Sequence, residues 1–149
     1  KNAELAKLAY GANYDQVMEA PVTIALFTDT DLQKRARKIA RVGGVKNFTD
    51  EQLQYFMQNL PAEFARYDAQ QTSDYLALNA GLVAMNLVLA LTDQGIGTNI
   101  ILGFDKSKIN EVLDIEERFR PELLITVGYA AEKVEPSYRL PVDEIIDKR

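Results

Sequence analysis

The sequence predicts one globular domain that mixes helices with strands, and three observations carry the prediction. The chain has 149 residues, of which 47% are apolar and 26% charged, the composition of a single globular unit with a core of its own. Residues 75–91, YLALNAGLVAMNLVLAL, are apolar nearly all round and too long for a strand, so they read as one helix. Three shorter runs, at residues 22–27, 98–101 and 121–127, are rich in β-branched and apolar side chains and are bordered by proline or glycine, the usual punctuation of strands.

In chain order, residues 1–12 repeat Leu5, Leu8 and Ala12 at helical spacing, with Gly11 as a stop, and YDQVMEA continues as a short helix or turn. Pro21 opens the first strand, whose nearly continuous apolar run from Val22 to Phe27 predicts burial on both faces. Asp31 then caps a helix with apolar positions Leu32, Ala36, Ile39 and Ala40. Lys34, Arg35, Arg37, Lys38 and Arg41 line its other side, either as a solvated basic face or as a docking patch for a phosphorylated ligand such as NAD(P)H. Gly43 and Gly44 break the chain, and Thr49 with Gln52 forms a capping box. Phe48, Leu53, Tyr55, Phe56 and Leu60 make the following segment unusually aromatic, which suits core packing or a lid on a glycine hinge.

Residues 61–93 keep a helical pattern with a break expected within 70–73. The long apolar helix approaches the length of a membrane span. Gly81, Asn79 and Asn86 interrupt its apolar surface, and Asp74 and Asp93 flank it without a Lys/Arg bias, so it is read as a buried central helix with no membrane role. Ala77, Gly81 and Ala84 offer a close approach to a second helix. Asn79 and Asn86, seven residues apart, either fix register at a dimer contact or are satisfied within the core.

Composition narrows the chemistry. A net charge of −5 counts against nucleic-acid binding. The chain has no His, Cys or Trp, which removes disulfides, thiolate nucleophiles, imidazole bases and Ser–His triads and makes a structural zinc or other transition-metal site improbable. Carboxylates, Lys, Tyr or a cofactor are left to do any chemistry, and a cofactor is the natural route. No metal ligand set and no catalytic side chain is assigned. The first residues read as an amphipathic helix and not as a leader, and a cysteine-free chain fits a cytoplasmic setting.

The stretch DQGIGTNIILGFD, residues 93–105, has glycines spaced like the start of a dinucleotide loop. That loop runs strand, glycines, helix, so that a phosphate meets the new helix's N-terminus. Here a helix precedes the glycines and a β-branched run follows, with Ile100 at the third glycine position. Gly95 is instead expected to end the helix in the left-handed conformation, and Gly103 to end the strand. Asp105 is expected to cap the short helix KSKINEVLDI. A glycine after a strand lets a flat ligand approach the backbone, which points to main-chain groups around Leu102 and Gly103. The chain closes with YRLP and VDEII, the latter a candidate final strand or arm reaching a partner subunit.

Together, APVTIALFTD (20–29), ALNAGLVAMNLVLALTDQGIGTNIILGFD (77–105), RPELLITVGY (120–129) and YRLPVDEII (138–146) resemble the FMN-dependent nitroreductase family, in the family's order and over nearly the whole chain. The resemblance implies a single nitroreductase-like domain over 1–149. Its α+β fold has a central, mainly antiparallel sheet flanked by helices, in an intertwined homodimer with FMN at the interface and NAD(P)H as electron donor. It further implies that Ile101, Leu102 and Gly103 belong to the segment whose backbone faces the flavin ring, that Asn13 matches a flavin-contacting polar residue, and that Arg139 binds the FMN phosphate. A surface ion pair of Arg139 with Glu135 or Asp143 is the alternative. The lid-like residues 48–60 fall where the family shapes its substrate channel.

The family's Arg-rich opening segment and its P-S-x-x-N-x-Q-P-W-like segment have no counterpart here, and the chain is read as a shortened version of a longer protein. The implied activity is ping-pong, two-electron reduction of a nitroaromatic, quinone or similar small acceptor. A flavin-free dimeric ligand-binding or scaffold protein, and a nucleotide-binding protein using residues 34–41, are the other readings.

Overall fold

In the computed structural model, which describes residues 1–44, 48–132 and 138–147, the strands form one antiparallel sheet in the order β1-β3-β2. They are β1 (Val22–Asp29), β2 (Gly97–Ile101) and β3 (Phe119–Gly128). The helices are α1 (Asn2–Ala6), α2 (Asn13–Glu19), α3 (Leu32–Gly44), α4 (Asp50–Phe64), α5 (Ala69–Asp93), α6 (Ile109–Leu113) and α7 (Val142–Ile145). The middle strand β3 is buried from Glu122 to Thr126, as a run of Leu, Ile and Val with helices on both faces should be. β1 lies at the sheet edge, so its apolar run is half-buried and not enclosed on both faces as its sequence suggested.

Alternation along β3 builds two cores. Leu124 faces α1, α2 and α6, where Leu5, Leu8, Val17, Ile101, Phe104 and Ile109 pack together. Leu123 and Ile125 face the other way, onto Ala84 of α5, with Ile24, Leu26, Leu87 and Val88 around them. The register of β1 shifts between Leu26 and Phe27, which pair with Leu123 and Pro121, so Glu122 is the extra residue of a β-bulge. Its buried carboxylate accepts from Thr28 Oγ1 at 2.5 Å and from Arg120 Nε at 2.8 Å, while Arg120 also donates to the Ser73 hydroxyl and carbonyl. A buried charge is tolerated here because its partners are complete, and they tie the start of α5 to the sheet.

Several local signals act as read. Asp31 Oδ1 accepts from Lys34 N–H at 3.0 Å at the start of α3, and the Thr49–Gln52 capping box opens α4. Gly95 ends α5 at φ 73°, with Gly95 N–H bonded to Thr92 O and Ile96 N–H to Leu91 O. That is a Schellman closure, in which a side-chain-bearing residue costs about 1–2 kcal/mol.

Other expectations are corrected. Residues 1–12 are not one helix, because the chain turns after α1 and takes Gly11 at φ 56° before α2. The break before α5 comes at residues 65–68: α4 runs through Pro61, and Asp68 with Gln71 forms a second capping box. Asp105 closes a turn on Ser107, so α6 begins only at Ile109. VDEII holds the short helix α7, not a strand. Finally, α5 is not buried all round. Leu76, Ala80 and Ala84 form its buried stripe, whereas Leu78, Leu82, Val83, Met85 and Leu89 face out of the chain. Ala84 is used against the sheet, which separates it from the exposed Ala77 and Gly81. Asn79 is half-buried and donates to Tyr75 O of its own helix at 2.7 Å, whereas Asn86 is exposed. By length and composition alone, α5 could cross a membrane.

Candidate functional site

The end of β2 carries the site that the sequence singles out. Ile101 pairs with Leu124 and its side chain is 2% exposed, so it belongs to the first core and leaves only main chain for a ligand. Leu102, one residue on, is 66% exposed. Gly103 then meets the turn between α1 and α2: its carbonyl accepts from Tyr10 N–H at 2.9 Å and from Asn13 Nδ2 at 3.1 Å. Asp105 N–H donates to Leu8 O at 2.8 Å, and Ala9 bridges to Phe104, so residues 103–105 are fastened to the turn between α1 and α2.

The absence of a side chain at Gly103 has a cause within the chain itself. A Cβ there would lie 2.8 Å from Asn13 Nδ2, so the Asn13 amide needs the space a side chain would fill. The Gly103 N–H donates none of the loop hydrogen bonds formed among the described residues, so the segment presents a main-chain donor beside an exposed leucine. Leu102 and Gly103 therefore do not lie in a solid interior.

Two neighbours escaped the sequence reading. Tyr10 is exposed beside Gly103, its ring 4.0 Å from where a Gly103 Cβ would be. Gln16 of α2 accepts from Asn99 Nδ2 of β2 at 2.7 Å, a second tie between that helix and strand. The signal for both was the pattern YGAN, in which Gly11 ends one helix and returns the chain for another; reading residues 1–12 as continuous helix hid it. The Asp105 carboxyl is held below its ordinary value, chiefly by the Ser107 hydroxyl and then by the Ser107 N–H, with Lys108 3.6 Å away adding a smaller attraction.

Arg139 stands apart from this group. It is exposed, and its Nη1 donates to the Tyr138 carbonyl at 2.9 Å. No hydrogen bond or ion pair among the described residues joins it to Asn13, Leu102 or Gly103, and none joins it to Asp143. Glu135, its other expected partner, lies outside the described residues. No group of acidic residues among the described ones could hold a metal ion.

Comparison with known proteins gives consistent matches. A model of the nitroreductase family matches residues 2–129. A Streptococcus pyogenes protein with the provisional name NAD(P)H nitroreductase Spy0809 is 62% identical over 149 residues, which span 100% of this chain and 74% of that protein. The crystal structure of a nitroreductase family protein from Streptococcus pneumoniae superposes with a TM-score of 0.93 at 85% identity, over 99% of this chain and 74% of that one. A provisionally named nitroreductase from Exiguobacterium sibiricum, solved in complex with FMN, superposes with a TM-score of 0.89 at 29% identity, over 99% and 71% of the two chains.

Proposed function

Because this chain belongs to the nitroreductase family of oxidoreductases, we propose that it is an FMN-dependent, NAD(P)H-oxidising enzyme that reduces nitroaromatics, quinones or similar small acceptors. The single observation that carries the flavin reading is the strand end at Leu102–Gly103, where an exposed leucine precedes a half-buried glycine whose N–H donates no hydrogen bond among the described residues and whose carbonyl is held by Tyr10 and Asn13. These residues fit a flavin. The ring's polar edge carries acceptors that a fixed N–H can meet, and Leu102 supplies apolar surface beside it. Bound FMN would supply two-electron chemistry between NAD(P)H and the acceptor, and Leu102, Gly103, Asn13 and Arg139 would hold it.

The chain's own groups bind, orient and shield. Asn13 acts on the ring through Gly103, whose carbonyl it fixes. Arg139 holds the phosphate, since a guanidinium fork makes two charge-assisted bonds to such a group. No side chain serves as general acid or base, in keeping with a chain that has no His and no Cys. Two copies pair through the outward face of α5, where Leu78, Leu82, Val83, Met85 and Leu89 would otherwise meet water, and the enzyme works in the cytoplasm.

Arg139 gives the direct test of the phosphate assignment. Arg139→Ala should weaken FMN binding about tenfold or more, with Arg139→Lys intermediate, as read by flavin fluorescence during dialysis. Equal retention by the alanine variant would remove Arg139 from the site.

A further inference from the structure

A cavity of about 310 Å³ lies between β1, α3, α5 and the start of β3. Neither Asn13, Ile101, Leu102, Gly103 nor Arg139 lines it. Four aromatic rings do: Phe27, Phe64, Tyr75 and Phe119. Their positions are set by contacts of their own. Phe64 and Tyr75 lie 5.1 Å apart at 58°, and Tyr67 packs edge-on against them at 5.4 and 5.9 Å. Arg118 covers the Phe119 ring at 4.5 Å. The walls are thus ring surfaces already in place.

Two charged residues share the lining, Asp29 and Arg35. The Asp29 carboxylate is largely buried and occupied, accepting from Asp31 N–H at 3.1 Å and facing Arg118 at 4.0 Å. Arg35 takes part in no ion pair among the described residues. The nearby Lys34, Arg37 and Lys38 on α3 add to the positive field, with no acidic residue in that helix. The cavity is therefore aromatic in its walls, and among the described residues Arg35 is its lining cation and enters no ion pair, while Asp29 shares Arg118 with Glu116, which lies closer at 3.1 Å. Its volume stands at the small end of ligand sites, which run from about 300 to 1,000 Å³. That suits one or two fused rings and is too small for a dinucleotide.

We propose that this cavity binds a small planar aromatic carboxylate, its rings between the aromatic walls and its carboxylate on Arg35. A guanidinium fork matches the two oxygens of a carboxylate, and aromatic walls favour a flat ring over an aliphatic chain.

The test is calorimetric titration of the full chain with 2-naphthoate. The expected result is saturable binding of one molecule per chain, with affinity at least tenfold weaker in Arg35→Ala, less reduced in Arg35→Lys, and unchanged in Arg37→Ala. On the unmutated chain, methyl 2-naphthoate, with the same rings and no charge, should bind at least tenfold more weakly, which tests the charge requirement without any variant. Excess FMN should leave naphthoate affinity unchanged. Absence of saturable binding, equal affinity for acid and ester, equal affinity in Arg35→Ala, or displacement by FMN would each overturn the proposal.

Discussion

At the scale of the residue, Gly103 and Asn13 act as one device. Glycine makes room for an amide, and the amide then bonds to the glycine's own carbonyl at 3.1 Å. A methyl at Gly103 would push Asn13 aside, so most of its cost should be the lost hydrogen bond, about 1 kcal/mol. Asn13→Ala should cost a similar amount. In Asn13→Ala the clash at Gly103 is relieved, so the two changes should not add. A double-mutant cycle of Gly103→Ala with Asn13→Ala, read by chemical denaturation, is expected to give a coupling of about 0.5–1 kcal/mol. Strict additivity would mean that the two residues do not share a contact. The sequence could place Gly103 after a strand and Asn13 before one, but their meeting depends on the turn at Gly11, whose positive φ has no signature in hydrophobic spacing.

At the scale of the element, α5 decides most of what one chain leaves unfinished. Its sequence is apolar on every side, yet one sheet can cover only the stripe Leu76–Ala80–Ala84. Spacing alone could not tell a helix enclosed by its own domain from one completed by a second copy, since both need the same all-round apolar surface. Leu82 is 64% exposed, so Leu82→Asp should leave the monomer's fold intact while removing a leucine worth about 1.5–3 kcal/mol if buried between copies. Sedimentation is expected to find the unaltered chain as a dimer and the variant as monomers. An unaltered chain that sediments as a monomer at every concentration would contradict the proposed pairing. The β1 strand teaches the same lesson from the sheet: a nearly continuous apolar run from Val22 to Phe27 looks like a middle strand, but β3 holds that place. Capping was more legible, because Asp31, Thr49 and Gly95 act on hydrogen bonds within a few residues and owe little to distant packing.

At the scale of the whole molecule, fold class and family were readable because four separated segments kept their order, and an antiparallel sheet with helices on both faces is what the chain forms. The candidate site was readable only in part. Just past the end of β2, Leu102 is exposed and Gly103 half-buried, Ile101 is taken by the core, and Arg139 stands on the last described segment without a described link to the others. A ligand that spans these places would join what the chain alone leaves apart, which is why the cofactor is central to the account. The most direct test is to add FMN to the purified chain without oxygen, record the visible flavin spectrum, and then add NADH. Flavin bands shifted from those of free FMN and bleached rapidly by NADH are the expected result. A spectrum identical to free FMN, with no bleaching beyond that of the two small molecules mixed alone, would contradict it.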